Sequence, residues 1–252
     1  MLSATSNPFG GIVVDPTTLP VDAKAFSTNL CHALAEWMSQ AFKVAWLEIP
    51  ITKAYLIPLA VEAGFQFHHS GDDYLMLTYR LIPDAFIPPH ATHYIGAGGV
   101  VFNEERELLV IWEKVHRMRH RRYYKLPGGA LYLGECLVDG VIREVFEETG
   151  IHTQFESLLC FRHWHGYRFG KSDIYFICRL SPLNHDIVIQ ESEIEECLWM
   201  PVDEYLNNEF VGVFNRRVVE IALTGQGLVP TWFEGYDVER ETREIFAAQP
   251  CQ

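Results

Sequence analysis

The stretch that most constrains this chain is residues 126–151, LPGGALYLGECLVDGVIREVFEETGI. Pro127-Gly128-Gly129 marks a turn whose backbone, lacking Cβ atoms at two successive positions, can approach a ligand closely. Beyond Gly134 and Glu135 the spacing predicts a helix over Cys136 to Thr149, closed by Gly150. Val138, Val141, Ile142 and Val145 form a stripe suited to packing on a sheet. Glu144, Glu147 and Glu148 stand at i, i+3 and i+4, so their carboxylates are expected together on a different face. Exposed like charges at this spacing repel by roughly a few tenths of a kcal/mol per pair. A hard divalent cation turns that repulsion into attraction, because magnesium takes carboxylate oxygens and bridges to phosphates. Arg143 can hold a neighbouring carboxylate in its planar fork. Metal-assisted phosphoryl chemistry follows from these residue types in this order. A solvated acidic helix face would leave the Gly-Gly turn and the arginine unexplained.

The rest of the chain frames this segment. Its 252 residues suit one large domain or two modest ones, and 48% hydrophobic with 21% charged is an ordinary globular composition. A formal net charge of −13 argues against a broad nucleic-acid-binding surface, so an anionic substrate needs a locally positive site or bound cations. The six cysteines include no C-x-x-C pair, which favours reduced thiols. Residues 1–8 lack the basic start and apolar core of a signal peptide, and no apolar run is long enough to span a membrane. A cytoplasmic protein is the expectation.

Hydrophobic spacing predicts a helix over Asp22 to Phe42, a strand over Val44 to Ile49 and a second helix over Pro50 to Ala63. Strands follow at Phe65 to His69 and Tyr74 to Leu81, joined by a turn at Gly71-Asp72-Asp73. Three prolines between Pro83 and Pro89 mark a boundary, giving domains 1–88 and 89–252. In the second domain, strands are expected at Tyr94 to Asn103, Glu107 to Trp112, Phe155 to His165 and Asp173 to Leu180. A helical turn at Val202 to Tyr205 and a helix at Val211 to Leu223 follow, with an irregular tail from Thr231.

The 126–151 segment resembles the Nudix box, G-x5-E-x7-R-E-U-x-E-E-x-G-U with U apolar. Gly129, Glu135, Arg143, Glu144, Val145, Glu147, Glu148, Gly150 and Ile151 fill every fixed position. The stretches WLEIP, THYIGAGGVVFN, FGKSDIYFICRL and the segment ending Trp199-Met200-Pro201 extend the resemblance to members with an N-terminal pre-Nudix domain. That group includes the vertebrate growth-factor-antisense Nudix hydrolase and plant ADP-ribose/NADH pyrophosphatases. The resemblance implies an α/β class: a Nudix α/β/α sandwich preceded by a small α/β domain. It implies water attack on a nucleoside diphosphate derivative, ADP-ribose or NADH first among them, with Mg2+ or Mn2+ as cofactor. Glu144, Glu147, Glu148 and the Gly128 carbonyl would hold metal, Arg143 would orient a glutamate, and Glu135 would support the box. The general base would be Glu144 or a glutamate of the later loop, where Glu191, Glu193, Glu195 and Glu196 stand and Glu193 is the first choice. A homodimer is an expectation of the same kind, and a nucleotide-binding regulator with little turnover is the alternative. Tyr132 departs from the glutamate common among relatives at its position.

Other residues are candidates for substrate contact. Residues 114–125 carry Arg117, Arg119, Arg121, Arg122 and Lys125, of which Arg122 and Lys125 are chosen to meet phosphates, although a solvated hairpin tip explains the run slightly better. Phe161 and His163 are chosen on the later strand, with burial or packing as the competing explanation; His165 would share the face of His163. Tyr123 and Tyr124, or Phe161 and Trp164, could stack on a base, and core burial explains them equally well. Gly96, Gly98 and Gly99 superficially suggest a dinucleotide fingerprint, but no helix follows, so they read as strand. His68 and His69 are expected on opposite faces of a strand, which makes them a poor metal pair.

Overall fold

The computed structural model describes residues 2–115, 123–236, 239 and 242–248. The chain divides into two compact units, Met1–Thr92 and His93–Gln252.

In the first unit, β1 (Ala4–Ser6) and β2 (Gly11–Val14) precede helix α1 (Ala23–Ser39). The sequence reading gave these first residues no strand. Asp22 starts α1 by accepting from the Ala25 N–H at 2.7 Å. Strand β3 (Val44–Pro50), helix α2 (Ile57–Glu62), β4 (Gln66–Ser70) and β5 (Tyr74–Arg80) complete the unit. The five-stranded sheet runs β1-β2-β3-β5-β4, with β2 and β3 parallel and the other neighbours antiparallel. Phe26, Leu30, Ala33, Leu34 and Trp37 of α1 pack against Val14, Ala45, Leu47, Ile49 and Leu77 of the sheet.

Two expectations are corrected here. Residues 50–63 do not form one helix: a 3-10 segment, Ile51–Leu56, contains the non-helical Lys53 (φ −115°, ψ 21°), and the α-helix starts at Ile57. Pro58 lacks the N–H that would continue a helix but suits a first turn. His68 and His69 do not point apart. A bulge between Phe67 and His69 breaks the alternation, and the two Nδ1 atoms lie 2.6 Å from each other.

In the second unit, β6 (His93–Val101) and β7 (Glu107–Glu113) are followed by the short strand β8 (Gly128–Ala130) and helix α3 (Leu137–Thr149). Strands β9 (Thr153–Trp164), β10 (Ser172–Pro182) and β11 (Ile194–Pro201) lead into α4 (Val202–Asn207) and α5 (Val213–Thr224). The four-stranded sheet is ordered β8-β6-β10-β9, and β7 pairs with β11. One core joins Leu137, Val141 and Val145 of α3 to Ala97, Val101 and Cys178 of the sheet. The other joins Val218, Val219 and Ala222 of α5 and Tyr205 of α4 to Val100 and Ile177. Helices thus cover both sheet faces, an α/β/α arrangement. The tail beyond Thr231 is less irregular than expected: β12 (Val229–Pro230) pairs with β13 (Phe246–Ala247), and Phe246 meets Phe155 at 5.7 Å between ring centroids.

Candidate active site

The site forms where the turn before β8 meets the last turns of α3. Gly128 has φ +144°, and a methyl group there would lie 2.2 Å from the Ala97 carbonyl oxygen, so only glycine fits. Its N–H donates to the Glu148 carboxylate at 2.6 Å. Gly150 ends α3 in the left-handed region at φ +72°. The helix starts at Cys136, whose side chain makes no capping bond. Instead the Glu244 carboxylate, from the C-terminal segment, accepts from the N–H groups of Leu137 and Val138.

The three box acids do not share one environment, contrary to the sequence expectation. Glu148 falls on the stripe of Val141 and Val145 and is 5% exposed. Burial, reinforced by the Glu144 and Glu113 charges, pushes its carboxyl up to about 7, against the pull of Lys125 and the Gly128 N–H. Burial also raises Glu144. Glu147 is exposed and held by Arg143 at 2.9 Å.

Arg143 is the hub of the charges. It grips Glu135 through Nε at 2.6 Å and Nη2 at 2.8 Å, and gives Nη1 to Glu144 and Glu147, both at 2.9 Å. The fork holds Glu135 below the usual carboxylate range. Tyr132 covers the guanidinium, with the ring centroid 4.0 Å from Cζ. The departure from glutamate at 132 therefore places a ring on Arg143.

Glu144 and Glu148 border a cleft of about 730 Å³ lined also by Gly128, Gly129, Lys125 and Glu193, among others. Tyr94, Tyr167, Arg168, Phe169 and Phe214 also line it. The structure brings together Gly128, Glu144, Glu148, Lys125 and Glu193 of the expected set. Lys125 is ion-paired with Glu113. Glu147 and Arg143 do not line the cleft, and Arg122 lies outside the described residues.

Phe161 and His163 are not at the cleft either. They face the other side of β9, where Phe161 meets Phe176 and His163 lies 2.8 Å from His93 between Nε2 atoms. The residue between them, Arg162, enters the cleft. Buried Asp173 accepts from it at 3.0 Å, and the rings of Trp164, Tyr175 and Phe214 lie within 5.4 to 5.6 Å of its Cζ. Its Nε is buried and has no partner among the described residues. Strand alternation could have offered Arg162 with Trp164 as one set, because a cation beside an aromatic on one face suits a phosphate ester.

Carboxylate and carbonyl oxygens suit a hard divalent cation. Glu148 supplies a second ground: a carboxyl resisting ionisation beside another carboxylate is a site that a cation relieves. Among the described residues no three acidic, histidine or cysteine side chains already stand in a ligating group, and Arg143 binds one oxygen each of Glu144 and Glu147.

Two family models match the chain, Nudix hydrolase domain over residues 2–81 and NUDIX domain over residues 92–220. The chain belongs to the Nudix hydrolase family. It is 43% identical over 212 residues to Nudix hydrolase 2 of Arabidopsis thaliana, covering 84% of this chain and 76% of that protein. It is 36% identical over 237 residues to nucleoside diphosphate-linked moiety X motif 6 of Homo sapiens, covering 91% and 72%. Among solved structures, the MutT protein from Methanosarcina mazei Go1 aligns with 53% of this chain and 94% of its own, with TM-score 0.44 and 23% identity.

Proposed function

We propose that the cleft hydrolyses the diphosphate bond of a nucleoside diphosphate derivative, with ADP-ribose and NADH as the first substrates, and that it requires Mg2+ or Mn2+. The observation that carries this is the pair Glu144 and Glu148, pressed into a cleft beside the glycine backbone at 128–129. Glu148, Glu144 and the Gly128 carbonyl would hold the cation, with Glu147 joining by leaving Arg143. When bound, the cation would polarise the diphosphate and ease deprotonation of the attacking water.

The chain supplies the rest. Lys125 and Arg162 both line the cleft and offer positive charge to the phosphates. Asp173 fixes the Arg162 fork, which lowers the cost of ordering it. Tyr94, Tyr167 and Phe169 offer faces to a base or nicotinamide ring. Glu193 reaches the cleft from the loop before β11 and takes the proton from water.

The test is product release from ADP-ribose, NADH, NAD, CoA, diadenosine polyphosphates, dNTPs and capped RNA, with each metal and with EDTA. Turnover of one diphosphate-linked member that EDTA abolishes is the expected outcome. Nucleotide binding without turnover on any member would make the protein a regulator.

A further inference from the structure

Glycine weakens a strand interior, yet β6 carries Gly96, Gly98 and Gly99. The β10 register sets Tyr175 beside Gly96, and its ring lies across β6. A methyl group at Gly96 would sit 2.9 Å from the ring, and one at Gly98 would sit 2.7 Å from the phenolic oxygen. A methyl at Gly128, one strand further, would sit 2.8 Å from that same oxygen. The phenol therefore crosses one strand and ends beside the residue whose N–H binds Glu148.

Tyr175 lines the cleft and is partly exposed. Its hydroxyl makes no hydrogen bond to a described residue, and its ring faces Arg162 at 5.6 Å. A tyrosine phenol keeps its proton at neutral pH and can donate it.

We propose that Tyr175 is a hydrogen-bond donor to the substrate, giving its hydroxyl proton to a non-bridging oxygen of the diphosphate, and that Gly96, Gly98 and Gly128 are the seat that admits it. An uncharged donor suits this spot. A lysine or arginine there would pair with Glu148 and compete with a cation for that carboxylate. The proposal rests on reading the cleft as the diphosphate site.

Tyr175→Phe keeps the ring and removes one oxygen. With the full chain, Mg2+ and the best substrate of the panel, kcat/KM should fall about ten- to a hundredfold, the worth of a hydrogen bond to a charged group. Affinity for α,β-methylene-ADP, read by calorimetry, should weaken in parallel. The unfolding temperature and the affinity for Mn2+ without nucleotide should stay unchanged. Gly98→Ala alone should also reduce kcat/KM by driving the hydroxyl off its seat, and should cost little more when added to Tyr175→Phe. Unchanged kcat/KM and analogue affinity in Tyr175→Phe would overturn the proposal. So would losses matched by a lower unfolding temperature or weaker Mn2+ binding, or strictly additive losses in the double variant. If wild-type protein turns over no diphosphate, the reading of function fails by itself, and the analogue titration still decides the role of Tyr175.

Discussion

The two units bury different things. Among the described residues, the first unit's only buried polar side chain is Thr78, set in a core of aliphatic and aromatic residues from α1 and its sheet. The second unit buries Glu148, Asp173, Thr149, Thr153 and Ser157. An apolar interior gains free energy from every group it encloses. A buried carboxylate gains only through its partners. The contrast separates a unit whose interior serves folding from one that gives up stability to hold charges at a cleft.

The largest test of this contrast is Glu148→Gln. Hydrolysis should fall about a hundred- to a thousandfold, as expected when a metal-holding charge is lost. The metal-free protein should become more stable at pH 8, because a buried charge is gone. Lower stability in the variant at pH 8 would show that the carboxylate supports the fold. Leu47→Ala should do the reverse in the first unit. It should cost about 2–5 kcal/mol in denaturant titrations, with kcat per folded molecule unchanged.

The pH dependence sharpens the comparison. The native state holds a proton on Glu148 up to about pH 7, whereas an ordinary glutamate loses it near 4.5. The native state therefore binds more protons across that window, and stability falls as pH rises through it. The loss approaches about 3 kcal/mol for the metal-free protein, and Glu148→Gln should flatten it. Urea melts at pH 5 and pH 8 measure it, and Mg2+ should restore more stability at pH 8. A smaller effect, about 1 kcal/mol, is expected from Glu244→Ala, which strips the first turn of α3 of its acceptor. Thermal melts at one pH suffice to read it.

Much of this was legible in the sequence, and the limits are physical. The box, its helix and the Gly150 stop rest on local spacing, and so do the strands that border them. Splitting the acids between buried Glu148 and exposed Glu147 was harder. Glu148 lies close to Val141 in helical angle, and the stripe extended further than apolar residues alone revealed. Choosing Phe161 and His163 over Arg162 required knowing which face of β9 meets the cleft. That depends on pairing register and on bulges in β9 and β10. The closeness of His68 and His69 was hidden for the same reason. Glu244 gave no signal, since a capping acid distant in sequence looks like any tail glutamate.

That last residue bears on the order in which the molecule is made. Leu137 and Glu244 are 107 positions apart, so helix α3 receives its cap only after β9, β10, β11, α4 and α5 have been synthesised. The first unit has its whole hydrophobic cluster within residues 2–81 and can mature on the ribosome long before. During synthesis every residue of the first unit's cluster is therefore in place before the acceptor for the first turn of α3 exists.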